Sequence, residues 1–461
     1  MRKEVTVGSI INQKKKDVYD LSINAKRGNR FSLHHIIFGL YHKAKNSSLY
    51  SNAFFLMLNT ACTSVLGFIF WYIMARFFSS SDVGIASALN SASGLISSFA
   101  GLGLGIGLVR FIPDVKEGAV RLVNSAFTLA GVAALVGSMI YLAGIKYWAP
   151  ALSFLFKNYW LAGIFILFTV STVLYGLVDQ SFIAARTSSY VLWKNLLAGL
   201  LKIPLPVFVF ASLKGFGIFV GFGTAGLIAV AIALFLFLPK VYKGYFPRPT
   251  WDSEMLKQVL PFSFTNYLSG FLNNIPSFIY PLMIVNVMSP EYNAYFYMSW
   301  MIALVLGVIP GSLAQSLFAE GSHDPLRLRG GDGRRALLLS VLLTIPMAGI
   351  ITLLGGWILH FFGPAYAQNG TGVLRILVFS IIPLCVNSFF MTVNQIKKRV
   401  PLIIGQSAFL AIISIGLGYW MLCKMGIEGI GVAYVIAQLS WAVIVFWPLW
   451  KDLNWNEKVK A

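Results

Sequence analysis

Long apolar runs separated by short polar or basic segments recur along most of this chain. Runs near 52–78, 85–109, 122–145, 159–185, 188–212 and 216–239 are followed by others near 259–287, 292–318, 336–360, 370–395, 401–423 and 427–449. A helix needs roughly 20 mostly apolar residues to cross a bilayer, so the pattern predicts twelve transmembrane helices. Several runs are interrupted by Gly or Pro. None shows the ten-residue alternation of an outer-membrane barrel. The first 50 residues are polar and basic and carry no apolar core that would serve as a signal peptide. The predicted class is an all-α polytopic membrane protein.

Composition strengthens that reading. Of 461 residues, 57% are hydrophobic and only 11% are charged, against about 25% charged in a typical soluble domain. So few charges cannot cover a chain of this length in water, which excludes an ordinary cytosolic enzyme, a nucleic-acid-binding protein and a disordered scaffold. The net charge of +20 is instead laid out by topology. With the N-terminus inside, 28 of the 36 Lys and Arg fall in segments on the cytoplasmic side and five on the other. The positive-inside rule then places both termini in the cytoplasm of a cell-membrane protein. Cys62, Cys385 and Cys423 all lie in apolar runs, and no metal-ligand spacing is present.

The chain divides around a basic linker at 240–257, with six spans at 51–239 and six at 258–450. Residues 1–50 form a basic arm, within which 31–45 have the composition of an amphipathic helix lying on the inner leaflet; 451–461 form a tail. Ser80-Ser81-Asp82-Val83-Gly84 after span 1 matches Ser289-Pro290-Glu291-Tyr292-Asn293 after span 7. Arg186 pairs with Lys397, Asn195 with Gln406 and Gly215 with Gly426 at one common offset. Two six-helix pseudo-repeat bundles around a central cavity are the expected architecture, as in an alternating-access carrier.

Charges inside the spans are the candidate chemistry, because each costs at least about 2.5–3.5 kcal/mol at mid-bilayer unless it is paired or hydrated. Asp179 in span 4 and Lys194 in span 5 lie at comparable depth and are placed to pair. Lys202, eight residues deeper, has no carboxylate at its level and precedes Pro204 and Pro206, which should break span 5. Arg76 and Arg375 fall near the outer ends of spans 1 and 10, where snorkelling to headgroups is the simpler reading. Arg110 closes span 2. Span 7 is polar and kinked, with Asn266, Asn273 and Asn274 beside Pro276 and Pro281. The run Gly101–Gly107 in span 2 alternates glycine with apolar residues, a pattern for close helix packing or a hinge. There is no phosphate-cradling GxxxxGK[ST], no HExxH and no carboxylate pair in an outer loop, so neither ATP hydrolysis nor membrane-enzyme chemistry is indicated.

Residues 66–114 resemble the first two helices of polysaccharide flippases, the Wzx-type members of the multidrug/oligosaccharidyl-lipid/polysaccharide (MOP) exporter superfamily. The likeness rests on Ala75-Arg76, Ser81-Asp82-Val83-Gly84, Gly103-Leu104-Gly105 and Val109-Arg110-Phe111-Ile112-Pro113. It continues through Asp179, Ala185-Arg186, Asn195 and Leu201-Lys202-Ile203, then Leu374-Arg375-Ile376-Leu377 and Gly426-Ile427-Glu428-Gly429-Ile430-Gly431. Across roughly residues 50–450 the resemblance implies a carrier that moves a polyprenyl-diphosphate-linked oligosaccharide from the cytoplasmic to the outer leaflet. It implies no cofactor, no metal and no nucleic acid; membrane lipids and polysaccharide polymerase or ligase proteins would be its neighbours. On that reading Lys202, Lys194 and Arg375, with Arg76 and Arg110 at the ends, form a cationic track for the diphosphate. Asp179 either holds Lys194 or carries a coupling proton, and the three asparagines of span 7 line a path for sugar. The alternative is a multidrug or small-molecule exporter of the same superfamily, which would need cavity carboxylates for cationic drugs. A polymerase would need a long charged outer loop. A scaffold that recruits synthases would leave Lys202 without a purpose.

Overall fold

A computed structural model of the chain describes residues 48–115, 118–323 and 332–453. The chain separates into Met1–Phe54 and Phe55–Ala461. Of the first unit only the opening turns of a helix from Ser48 are described; the predicted amphipathic segment 31–45 lies outside the described residues, as does the tail beyond 453.

Helices are the regular structure of the described residues, with no strand among them. Eleven helices are long and apolar enough to span a membrane, twelve when a pair bent by 50° is taken as one. The chain is therefore a multi-pass membrane protein. In order, span 1 is Ser48–Phe77, span 2 Ser80–Ala100 continued by Leu104–Phe111, span 3 Ala119–Ala143, span 4 Tyr159–Ala184, span 5 Ser189–Leu201 and span 6 Lys214–Ile232. Span 7 is Ser253–Val287, span 8 Pro290–Leu304 continued by Val308–His323, span 9 Asp332–Phe362, span 10 the bent pair Pro364–Val378 and Ile381–Ile396, span 11 Val400–Met425 and span 12 Ile427–Leu453.

Breaks fall where backbone chemistry asks for them. Span 2 is interrupted at Leu102 and Gly103, both at positive φ (48° and 73°). A Cβ on Gly103 would lie 2.3 Å from the Ser263 carbonyl oxygen, and one on Gly107 2.3 Å from Ser263 Oγ. The glycine run is therefore both a break and a close contact with span 7. After Leu201, span 5 gives way to a π-turn at Leu205–Val209 that follows Pro204 and contains Pro206, because neither proline donates to the helix ladder. Span 7 starts earlier than its apolar run. Asp252 caps it, with Oδ1 accepting from Met255 N at 3.1 Å, so residues 253–257 are helix rather than linker.

The linker runs along the N-terminal bundle. Tyr242 donates its hydroxyl to the Ser181 carbonyl at 2.7 Å, Asn124 Nδ2 donates to the Phe246 carbonyl at 3.0 Å, and Thr250 N donates to Thr128 Oγ1 at 3.0 Å. At the end away from the linker the two bundles share one core, drawing Phe70, Trp71, Met74 and Val83 from the first and Tyr280, Ile284, Phe296 and Leu422 from the second. Asn293 and Gly84, equivalent in the repeat, meet there: Asn293 Nδ2 donates to the Gly84 carbonyl at 2.8 Å and to Ser87 Oγ at 2.9 Å. A Cβ on Gly84 would lie 1.7 Å from the Pro290 carbonyl oxygen.

Backbone conformation repeats between halves. Arg186 (φ 57°) and Lys398 (φ 54°) occupy the turns after spans 4 and 10. Lys214 (φ 52°, ψ −132°) and Gly426 (φ 65°, ψ −151°) occupy the turns after spans 5 and 11. The conformational match is therefore Lys214 with Gly426, one residue away from the pairing read off the sequence.

Candidate functional site

Each bundle encloses a cavity between its own helices, and the second cavity uses the helices corresponding to those of the first together with span 8. In the N-terminal bundle the walls come from spans 1, 4, 5 and 6, and in the C-terminal bundle from spans 7, 8, 10, 11 and 12. Asn195 and Gln406, paired in the sequence repeat, each line the cavity of their own bundle.

The N-terminal cavity has a volume of about 400 Å³. Asn59 and Thr63 face it from span 1, Tyr175 from span 4, Asn195 and Lys202 from span 5 and Phe222 from span 6. Helical spacing of three to four residues puts Asn195, Ala198 and Lys202 on one face of span 5. Behind that face Lys194 is fully buried. Its ammonium lies 3.0 Å from Asp179 Oδ1, donates to the Tyr175 carbonyl at 3.0 Å and rests on the Tyr175 ring. The other carboxylate oxygen of Asp179 accepts from Asn195 Nδ2 at 3.3 Å, and the same amide nitrogen donates to Asn59 Oδ1 at 3.0 Å. The acid is thus held by one ammonium and one amide, and the amide ties it to span 1.

Lys202 is different. It makes no ion pair among the described residues, and its ammonium sits 5.4 Å from the Phe70 ring centroid and 5.6 Å from that of Phe222. Aromatic faces soften the cost of a partly desolvated cation but leave its charge available to an anion. With Asp179 matched by Lys194 behind the wall, Lys202 is the one charged side chain lining the cavity among the described residues.

Of the predicted site residues, the structure gathers Asp179, Lys194 and Lys202 and disperses the rest. Arg76 is exposed in the last turn of span 1, with its guanidinium 5.8 Å from the Tyr72 ring. Arg110 is exposed and paired with Asp114 at 2.8 Å. Arg375 is exposed, but it lies in the last turn before the bend of span 10 rather than near the span's outer end. That helix begins at Pro364, a proline suited to a first helical position, six residues before its apolar run. A continuous track of five cations is therefore not what the structure shows. Asn273 lines the cavity of the second bundle, Asn274 donates back to the Gly270 carbonyl of its own helix at 2.8 Å, and the Asn266 side chain lies outside the described residues.

Of the neutral walls, sequence reasoning proposed Asn273 and missed Asn59, Thr63 and Tyr175 in the first cavity and Asn387, Gln406 and Gln438 in the second. The available signal was amides within apolar runs, which weigh far less than charges on any insertion scale.

The family model for polysaccharide biosynthesis proteins matches residues 49–318. The chain belongs to that family. The match covers the whole N-terminal bundle and the first two spans of the second, a shorter stretch than the sequence likeness to residue 450. No curated protein sequence matches the chain. Among solved structures, the lipid II flippase MurJ in an inward closed conformation is similar with a TM-score of 0.72 at 14% identity, covering 86% of this chain and 88% of that one. An inward-facing multidrug resistance MATE transporter is similar at a TM-score of 0.57 and 15% identity, covering 86% and 100%. A MOP transporter from Pyrococcus furiosus gives 0.58 and 15%, covering 88% and 95%. The fold is shared with these solved transporters.

Proposed function

We propose that this protein is a flippase that carries a polyprenyl-diphosphate-linked oligosaccharide from the cytoplasmic to the outer leaflet of the cell membrane by alternating access. The observation that carries the reading is Lys202, a cation lining a cavity among the spans of the N-terminal bundle, where the neighbouring acid, Asp179, is already matched by Lys194. An exporter of cationic drugs needs a free acid there, and a diphosphate needs a free cation. Charge-assisted hydrogen bonds from an ammonium in a low-dielectric cavity offset part of the hydration a diphosphate loses on entry.

The rest of the cargo has somewhere to go. Span 1 walls the N-terminal cavity yet, among its described side chains, buries only Phe70, Trp71 and Met74, so a polyprenyl chain can remain in lipid beside it while the headgroup is inside. The distribution of Lys and Arg supports placing the linker and both termini in the cytoplasm. The bundles pack against each other at the far end, through Asn293 and Gly84, and that contact must open for release to the outer leaflet.

The test is lipid extraction and mass spectrometry of cells depleted of the protein. The proposal expects a full-length lipid-diphosphate oligosaccharide to accumulate facing the cytoplasm, with loss of surface glycan. Intact surface glycan without accumulation would transfer the assignment to a small-molecule exporter of the superfamily. Repeat units accumulating on the outer face would point to a polymerase.

A further inference from the structure

The cavity of the C-terminal bundle differs from its counterpart in one chemical respect: among the described residues no charged side chain lines it. Its volume is about 370 Å³, and its walls carry the amides of Asn273, Gln315, Asn387, Gln395, Gln406 and Gln438. Three of these are buried, Asn387 at 2% exposure, Gln406 at 3% and Gln438 at 6%. They hold one another in place across three helices. Asn387 Nδ2 donates to Gln438 Oε1 at 2.7 Å and to the Gln438 carbonyl at 2.9 Å, and Gln406 Nε2 donates to the Asn387 carbonyl at 3.0 Å. Asn387 and Gln406 thus donate to the protein through their amide nitrogens. Asn387 Oδ1 and Gln406 Oε1 are buried and accept no hydrogen bond among the described residues.

Buried amide oxygens without donors are expensive, and a fold tolerates them where a ligand or water supplies the missing hydrogens. We infer that this cavity is a binding subsite for an uncharged, hydroxyl-rich ligand, namely sugar rings of the transported oligosaccharide. The inference rests on the flippase reading and deepens it: the charge of the cargo goes to the first bundle and its neutral glycan to the second. Hydroxyls are the complementary chemistry, since each donates to an amide oxygen and accepts from an amide N–H, and the rim amides of Gln315 and Gln395 are free to turn either way. A bare cation fits poorly. Hard cations want several oxygens closing to 2.3–2.6 Å, with carboxylates among them, and no carboxylate lines this wall among the described residues.

The experiment uses the full chain in lipid nanodiscs and isothermal titration calorimetry. The first probe is the oligosaccharide pool released by mild acid from the polyprenyl-diphosphate fraction of the source cells, passed over an anion exchanger so that only uncharged sugars remain. The second is farnesyl diphosphate. Wild type should bind both. Gln406→Leu should weaken sugar binding about tenfold and leave farnesyl diphosphate unchanged, and Lys202→Met should do the reverse. Gln406→Leu also removes a bond to the Asn387 carbonyl, so Gln315→Leu, on an exposed rim residue, gives a second reading free of folding effects; it should weaken sugar binding several-fold. Sugar binding that is absent in wild type, or equal in wild type and both glutamine variants, overturns the inference. So does binding of radioactive sodium that disappears in Gln406→Leu. If sugars do not bind while the lipid-linked oligosaccharide is still flipped, the subsite falls and the flippase stands. If sugars bind through Gln406 while no flipping is found, the subsite stands and the flippase reading falls.

Discussion

Breaking the Asp179–Lys194 pair should cost far more than removing it whole. The ammonium of Lys194 is fully buried and the Asp179 side chain is 17% exposed, at a separation of 3.0 Å. At an effective dielectric constant of about 20 their attraction is about 5 kcal/mol, and removing one partner of such a pair typically costs about 3–5 kcal/mol because the other is left charged and unmatched. Lys194→Met strands a carboxylate that keeps only the Asn195 amide, and Asp179→Asn strands an ammonium that keeps only the Tyr175 carbonyl and ring. Each single variant should therefore lose about 3 kcal/mol or more. The double variant, which leaves a neutral amide against an apolar chain, should be more stable than either single, with a coupling energy of about 3 kcal/mol. Unfolding by denaturing detergent in mixed micelles, followed for wild type and the three variants, measures this. Additive losses would refute the reasoning: Asp179 would not be neutralised by Lys194, and Lys202 would no longer be the surplus charge of the cavity.

Other predictions follow from single positions. Gly84→Val places side-chain atoms on the Pro290 carbonyl, where even a Cβ would come to 1.7 Å, so it should hold the bundles apart at the far end; spin labels at Ser80 and Tyr292, in a background lacking the native cysteines, should report a longer distance than in the parent. Gly103→Ala combines a positive φ of 73° with a 2.3 Å approach to the Ser263 carbonyl and should lose about 2 kcal/mol or more in the same unfolding assay. Lys214 holds a backbone conformation that its counterpart Gly426 adopts without a Cβ, so Lys214→Gly should gain about 1 kcal/mol and Gly426→Ala should lose at least as much.

The spans and the two-bundle repeat are legible in the sequence because hydropathy and helix length are local quantities. Asp179, Lys194 and Lys202 were found for a related reason: a charge within an apolar run is costly wherever the run goes. What sequence cannot give is which faces meet. Asn59 and Asn195 are separated by most of a bundle along the chain, and only the fold makes them one hydrogen bond. Gln406 looked like a repeat marker until packing placed it beside Asn387 and Gln438. Arg375 lies deeper than its apolar run implies because its helix runs upstream through Ala365-Tyr366-Ala367-Gln368-Asn369, a stretch too polar to read as span. Arg76 and Arg110 lie at span ends, where depth along the sequence already favours headgroups for Arg76; the fold adds the partner of Arg110, Asp114.

Transport itself gives the most direct test of the central claim. Proteoliposomes would be loaded with the lipid-linked oligosaccharide extracted from the source cells, and the fraction reaching the opposite leaflet read with a membrane-impermeant lectin or periodate. The account predicts transfer by wild type, a rate at least about tenfold lower for Lys202→Met and substantial retention by Lys202→Arg, which keeps the charge. Transfer by Lys202→Met at the wild-type rate would contradict it.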